Sequence, residues 1–200
     1  MKGSLIILAF FAVGILCGLY RWIPFDFTAH RATTYTLYVL LFSVGFSIGN
    51  DKELLRSFRS LDPRVMWLPA MTIAGTLAGC AVASLFIPDR PTTDVLAVGS
   101  GLAYYSLSSI LITEYRGVEL GTVALLANVL RELITLLLAP LLVRYFGKLA
   151  PISVGGASTI DITMPVISRY SGREYAVVCI YHGIVMDFSV PFLVTLFCLI

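Results

Sequence analysis

Five stretches of the chain, 3–23, 33–49, 66–87, 118–142 and 176–200, are apolar over roughly the 17–25 residues that a membrane-crossing helix needs. That feature limits the fold more than any other. Inside a lipid bilayer every backbone N–H and C=O must find a partner within the protein, which leaves helices or closed barrels. Continuous apolar runs of this length are helical. Composition agrees, with 58% hydrophobic and 13% charged residues, where a soluble domain carries about a quarter charged. The expectation is an all-α polytopic membrane protein forming one transmembrane domain over 1–200. The first stretch has no small-residue cleavage site and reads as a retained anchor. Net charge is +2 with the basic residues dispersed, which gives no footprint for nucleic acid. Cys17, Cys80, Cys179 and Cys198 stand singly in apolar segments and read as small buried hydrophobes. No cofactor motif and no metal-ligand spacing is present.

Loop charge sets the orientation. The stretch "NDKELLRSFRSLDPR" carries Lys52, Arg56, Arg59 and Arg64 and belongs on the cytoplasmic side. The N-terminus is then cytoplasmic and the C-terminus outside. Two further segments are apolar but interrupted: 95–113, with Gly99, Gly101, Ser106, Ser108 and Ser109, and 151–168, "PISVGGASTIDITMPVIS". A helix interior loses about 1 kcal/mol at glycine and about 3 at proline, so 151–168 reads as two half-helices meeting at an unwound centre. Such breaks are tolerated only against protein or a polar cavity, and transporters bind substrate and ions there. In 95–113 the small residues serve equally well for close helix packing. The residues alone leave open whether either segment crosses or re-enters.

Ionisable groups inside these segments carry the functional signal, because a charge at the bilayer centre costs about 2.5–3.5 kcal/mol even on the mildest scale. Arg131 and Glu132 are neighbours near the middle of 118–142. At about 100° per residue they cannot share a face. Asn128, Glu132 and Thr135 do share one, a polar stripe able to hold a proton or an ion. Arg131 is expected to pair with a carboxylate on another helix and fasten the bundle. Asp161 lies just past the glycine break beside Ser158, Thr159 and Thr163. There it can exchange a proton, ligate a cation such as sodium, or cap a half-helix. His182 and Asp187, five residues apart on the last stretch, are as readily packing residues as a proton path.

With these residues in view, "YYSLSS", "GTVALLANVLRE", "GGASTIDITMPVISRYSG" and "HGIVMDFSVP" resemble the motifs of the LysO lysine exporter family of bacteria. The resemblance covers most of the chain after residue 33 and corresponds to the C-terminal part of a usual member. It implies export of L-lysine and toxic lysine analogues across the inner membrane. It also implies that Glu132 and Asp161 are the embedded acids on which transport depends. A relationship to cation–proton antiporters and bile-acid transporters further implies an inverted-repeat transporter fold with a crossing pair of broken helices. Cavity candidates are then Tyr105, Ser106, Ser108, Gly155, Gly156, Ser158, Thr159 and Thr163. This chain differs from the family pattern at Tyr104, where tryptophan is usual, at Ile160 and Ile162 in "IDIT", and at Asp187, where a neutral residue is usual. Usual members also carry a longer N-terminal region with about three more spans. A small membrane subunit supplying them, or a homodimer, is therefore expected.

Export of a cation against the membrane potential points to antiport with protons, or secondarily sodium. Two other classes compete within transport: a sodium-coupled carrier for another small organic solute, such as an organic anion, and a non-catalytic subunit. An intramembrane hydrolase would use Asp161 and Asp187 as an acid pair. The sequence contexts for such a pair, for a Ser–His nucleophile or for HExxH are absent, so an enzyme is not expected.

Overall fold

The computed structural model describes residues 61–200 and, before them, Leu16, Cys17, Tyr35, Val39, Phe42, Phe46, Asn50 and Arg56. The chain divides into two compact units, 1–55 and 56–200. Within the first, the described residues are helical, and the Phe42 and Phe46 rings stack with centroids 6.3 Å apart. The stretches 3–23 and 33–49 otherwise lie outside the described residues. The second unit is helical, without strands among the described residues.

Asp62 starts it. Its carboxylate accepts the Arg64 N–H at 2.8 Å, and Pro63 opens the short helix α1 (Pro63–Met66). After Trp67 the chain continues as α2 (Leu68–Ser84), and Pro88 and Pro91 mark the turn beyond it. The segment expected to be interrupted is two helices, α3 (Thr92–Gly99) and α4 (Tyr105–Arg116). Then come α5 (Val118–Phe146), α6 (Ala150–Gly155), a 3-10 turn (Gly156–Ile160), α7 (Met164–Ser171) and α8 (Ala176–Leu199). Among the described residues three stretches are long and apolar enough to cross a membrane: Pro63–Ser84, Val118–Phe146 and Arg173–Leu199. They match the expected spans at 66–87, 118–142 and 176–200. Their outward faces carry large apolar side chains such as Leu126, Leu137, Phe188 and Phe192, a surface suited to lipid. Buried residues recur at helical spacing on their inward faces: Leu120, Ala124, Asn128, Thr135 and Ala139 on α5, and Cys179, His182, Met186, Val190 and Val194 on α8.

The side-chain contacts show that each interrupted segment folds back on itself. Arg90, before α3, pairs with Glu119, after α4, and Arg116 at the end of α4 lies 3.6 Å from Asp94 in the first turn of α3. The two legs therefore start and finish together. The second segment repeats the pattern: the Ser171 hydroxyl at the end of α7 donates to the Lys148 carbonyl before α6 at 2.8 Å, and Lys148 pairs with Glu174. The first hairpin opens where α5 begins, and the second opens where α5 ends. Two hairpins thus enter the bundle from opposite ends. Residues at the base of the second, Ile152 and Ile167, pack with Val178 and Cys179 of α8 and against Leu61, Val65 and Leu68.

The hairpin tips meet. Ala157 N–H donates to the Leu102 carbonyl at 2.9 Å. Gly156, with φ +59°, sits where any Cβ would overlap that same carbonyl oxygen, so only glycine allows the tips to touch.

Candidate functional site

The first tip is a strained turn. Leu102 and Ala103 take positive φ, 46° and 70°, a conformation that costs a non-glycine residue of order 1–3 kcal/mol and persists only when its surroundings impose it. Asn128 is one such surrounding group. Its Oδ1 accepts the Ala103 N–H at 2.8 Å, and its Nδ2 donates to the Val98 carbonyl at 3.2 Å and the Ala124 carbonyl at 2.9 Å. The side chain is 3% exposed. Asn128 therefore holds the break. Asn128→Leu leaves the buried Ala103 N–H without a partner, at about 1–3 kcal/mol. The midpoint of heat-induced aggregation of the detergent-solubilised protein should fall by several degrees, while Thr135→Val changes it little. An unchanged midpoint in Asn128→Leu would show that something else holds the tip.

The second tip satisfies itself with its own hydroxyls. Ser158 Oγ donates to the Gly155 carbonyl at 2.9 Å, and Thr163 donates to the Ser158 carbonyl through both N–H and Oγ1. The Thr159 hydroxyl lies 2.8 Å from the Gly156 carbonyl and 2.9 Å from that of Cys179, joining the tip to α8. Gly155 is required by packing, since a Cβ there would meet Thr159, Thr163 and Thr135. Asp161 comes at the end of the 3-10 turn, its Oδ1 accepting the Ile162 N–H at 2.6 Å.

Between the tips lies a cavity of about 250 Å³. Glu132 from α5, Asp161 from the second tip and Asp187 from α8 line it, together with Tyr104, Tyr105 and Ser106 from the first tip. Ser158 reaches the wall as well; among the described residues no Lys, Arg or His does. Glu132 Oε2 is buried and has no hydrogen-bond partner. Three carboxyl groups from three elements line one cavity and repel one another, and entering cations or protons relieve that repulsion. The arrangement is suited to ammonium groups, protons or an alkali cation.

Of the polar stripe on α5, then, only Glu132 presents its polar atoms to the cavity. Thr135 is fully buried and its hydroxyl donates to the Arg131 carbonyl. Ser108 likewise closes the first turn of α4 by donating to the Tyr104 carbonyl at 2.8 Å. Arg131 does fasten α5 to another element, through carbonyls instead of the expected carboxylate. Its Nε donates to Val154 O at 2.8 Å and its Nη2 to Ser153 O at 3.1 Å. Those carbonyls close the short helix α6, where no further turn supplies donors and the helix dipole is negative. His182 and Asp187 part company: His182 is fully buried with Nε2 3.1 Å from the Thr72 hydroxyl, whereas Asp187 faces the cavity. The strain at Leu102 and Ala103 had no sequence signal, because neither is a residue that ordinarily marks a left-handed turn.

The family model described as "Lysine exporter LysO" matches residues 8–198. Lysine exporter LysO of Escherichia coli K12 is 36% identical over 169 residues, covering 84% of this chain and 56% of that protein. A putative lysine exporter of Haemophilus influenzae Rd is 30% identical over 185 residues, covering 92% of this chain and 91% of its own. The chain thus spans little more than half of the first relative and nearly all of the second. No solved structure matches.

Proposed function

Because the chain belongs to the lysine exporter LysO family, we propose that it exports L-lysine and toxic lysine analogues across the bacterial inner membrane, with the acid-lined cavity as the site where substrate and coupling ion alternate. The observation that carries this reading is Glu132. Its Oε2 is buried without a partner in a wall that also holds Asp161 and Asp187 and, among the described residues, no basic side chain. A carboxyl so placed is costly for packing alone. A wall of carboxyls suits the ammonium groups of lysine and disfavours an organic anion, the competing substrate class. A purely scaffolding subunit has no use for an unpaired acid.

Charge along the bundle supports a topology. Arg64, Arg144, Lys148, Arg169 and Arg173 lie at the end where the second hairpin opens, and Arg90 and Arg116 at the other. The basic end belongs in the cytoplasm. In that arrangement 63–84, 118–146 and 173–199 cross, the hairpin 90–119 re-enters from outside, and the hairpin 148–174 re-enters from the cytoplasm. The C-terminus lies outside. With the apolar stretches 3–23 and 33–49, this is the five-span, two-break transporter read from the sequence. Its inverted repeat is supported by the opposite entry of the hairpins.

The test is counterflow. Liposomes loaded with unlabelled lysine and containing the chain, alone or with a small membrane protein encoded beside it, should accumulate labelled lysine transiently. Absence of accumulation in both preparations, with protein inserted at equal density, would refute lysine as the substrate.

A further inference from the structure

We propose that the end of the bundle bearing Asp94, Arg116 and Cys198 is a gate, with α4 as its moving lever and Arg116 as the latch that holds it shut. The helix α4 is bounded by two joints. Ahead of it lies the strained break at Leu102 and Ala103. After it lies Gly117, at φ +93° and with nothing within 4 Å of the position a Cβ would take, so the chain can swing there without collision. Between the joints the helix is continuous. It carries Tyr105 and Ser106 into the cavity wall at one end and Arg116 at the other. A tilt of α4 therefore moves one wall of the cavity relative to Glu132 and Asp187.

One guanidinium governs that tilt. Arg116 Nε donates to the carbonyl of Cys198, at the end of α8, at 2.9 Å, and its Nη1 stands 3.6 Å from Asp94 Oδ1 on α3. Three elements are joined through a single side chain. The Asp94 side chain is 9% exposed, yet its Oδ1 makes no hydrogen bond, so charge attraction alone holds it to Arg116. The Arg116 side chain is 29% exposed, so the burden falls on Asp94: without its counter-charge the carboxylate is relieved only if the site opens to water. That favours two states, closed and open, over gradual loosening. The other ion pairs among the described residues are poor latches. Arg90–Glu119 has side-chain exposures of 39% and 79%, and Lys148–Glu174 of 55% and 66%, where such pairs add little.

The proposal rests on the transport reading for what the gate admits and on the orientation above for which side it faces. Its test needs no lysine, so failure of the substrate assignment leaves it intact. A Ser106→Cys variant is treated with a membrane-impermeant maleimide in right-side-out vesicles, with labelling of the native cysteines subtracted. Adding Arg116→Gln, or Asp94→Asn should the first variant fail to insert, is expected to raise the labelling rate about fivefold, the population shift given by about 1 kcal/mol. The charge-swapped pair Asp94→Arg with Arg116→Asp should return it toward the parent rate. An unchanged rate in the inserted variants overturns the latch, and so does an increase seen only in inside-out vesicles.

Discussion

Glu132→Gln and Asp161→Asn should each abolish resistance to a toxic lysine analogue in cells lacking other exporters, while the protein remains in the membrane at normal levels. Both replacements are close in shape to the native side chain and remove only a charge. Asn at 161 can still accept the Ile162 N–H that Asp161 accepts at 2.6 Å, so the second tip keeps its local bond. Gln at 132 replaces a buried oxygen that has no partner to lose. Neither change leaves a new buried charge, and each removes a group whose placement in a bilayer costs about 2.5–3.5 kcal/mol. Folding should therefore be unharmed or slightly improved, which makes lost resistance a statement about transport. Asp187→Asn leaves two carboxyls in the cavity and is expected to lower resistance without abolishing it. Wild-type resistance in both Glu132→Gln and Asp161→Asn would sink the mechanism and favour a scaffolding role. Immunoblotting of membranes beside growth at graded analogue concentrations separates these outcomes.

The sequence made the long elements legible because lipid demands a continuous apolar run, and 118–142 and 176–200 became helices at 118–146 and 176–199. The break at Gly155-Gly156 was equally legible, since glycine, hydroxyls and Pro165 leave a helix little reason to continue. The folding back of each interrupted segment was not legible. It depends on Arg116 meeting Asp94 and on Ser171 meeting Lys148, contacts that no periodicity encodes. Asn128 shows a second limit. Its spacing from Glu132 puts both on one face of α5, but spacing does not say which polar group the backbone of a neighbouring break will claim. The tip at Ala103 takes the amide, and Glu132, one turn further, is left to the cavity. Asp187 carried the weakest argument of the embedded acids in the sequence, five residues from His182 and off its face. That same offset is what turns it to the cavity while His182 faces Thr72.

Lysine flux through the reconstituted protein should follow an imposed pH gradient in the absence of sodium. Lysine carries one net positive charge at neutral pH, and the cytoplasm is electrically negative. Moving that charge outward costs about 2.3 kcal/mol per 100 mV, before any concentration gradient. An inward-moving cation offsets the cost: one per lysine makes the exchange electrically neutral, and two draw on the potential as well. The cavity has the parts for such exchange. Glu132, Asp161 and Asp187 share one wall with no basic side chain among the described residues, which suits neutralisation by an ammonium group or by protons. Competition between the two for the same carboxyls would enforce alternation, because a site neutralised by one has no charge left to attract the other. Sodium is the second candidate, but the hydroxyls that would ligate it are largely engaged: those of Ser158, Thr159 and Thr163 hydrogen-bond within the second tip and to α8. Protons need only the carboxyls. Vesicles loaded with labelled lysine and given an acidic exterior should release it faster as the gradient steepens, and an imposed sodium gradient at constant pH should have little effect. Flux that ignores the pH gradient and tracks sodium would show that the second tip gives up its internal hydrogen bonds to bind the ion, and proton coupling would be wrong.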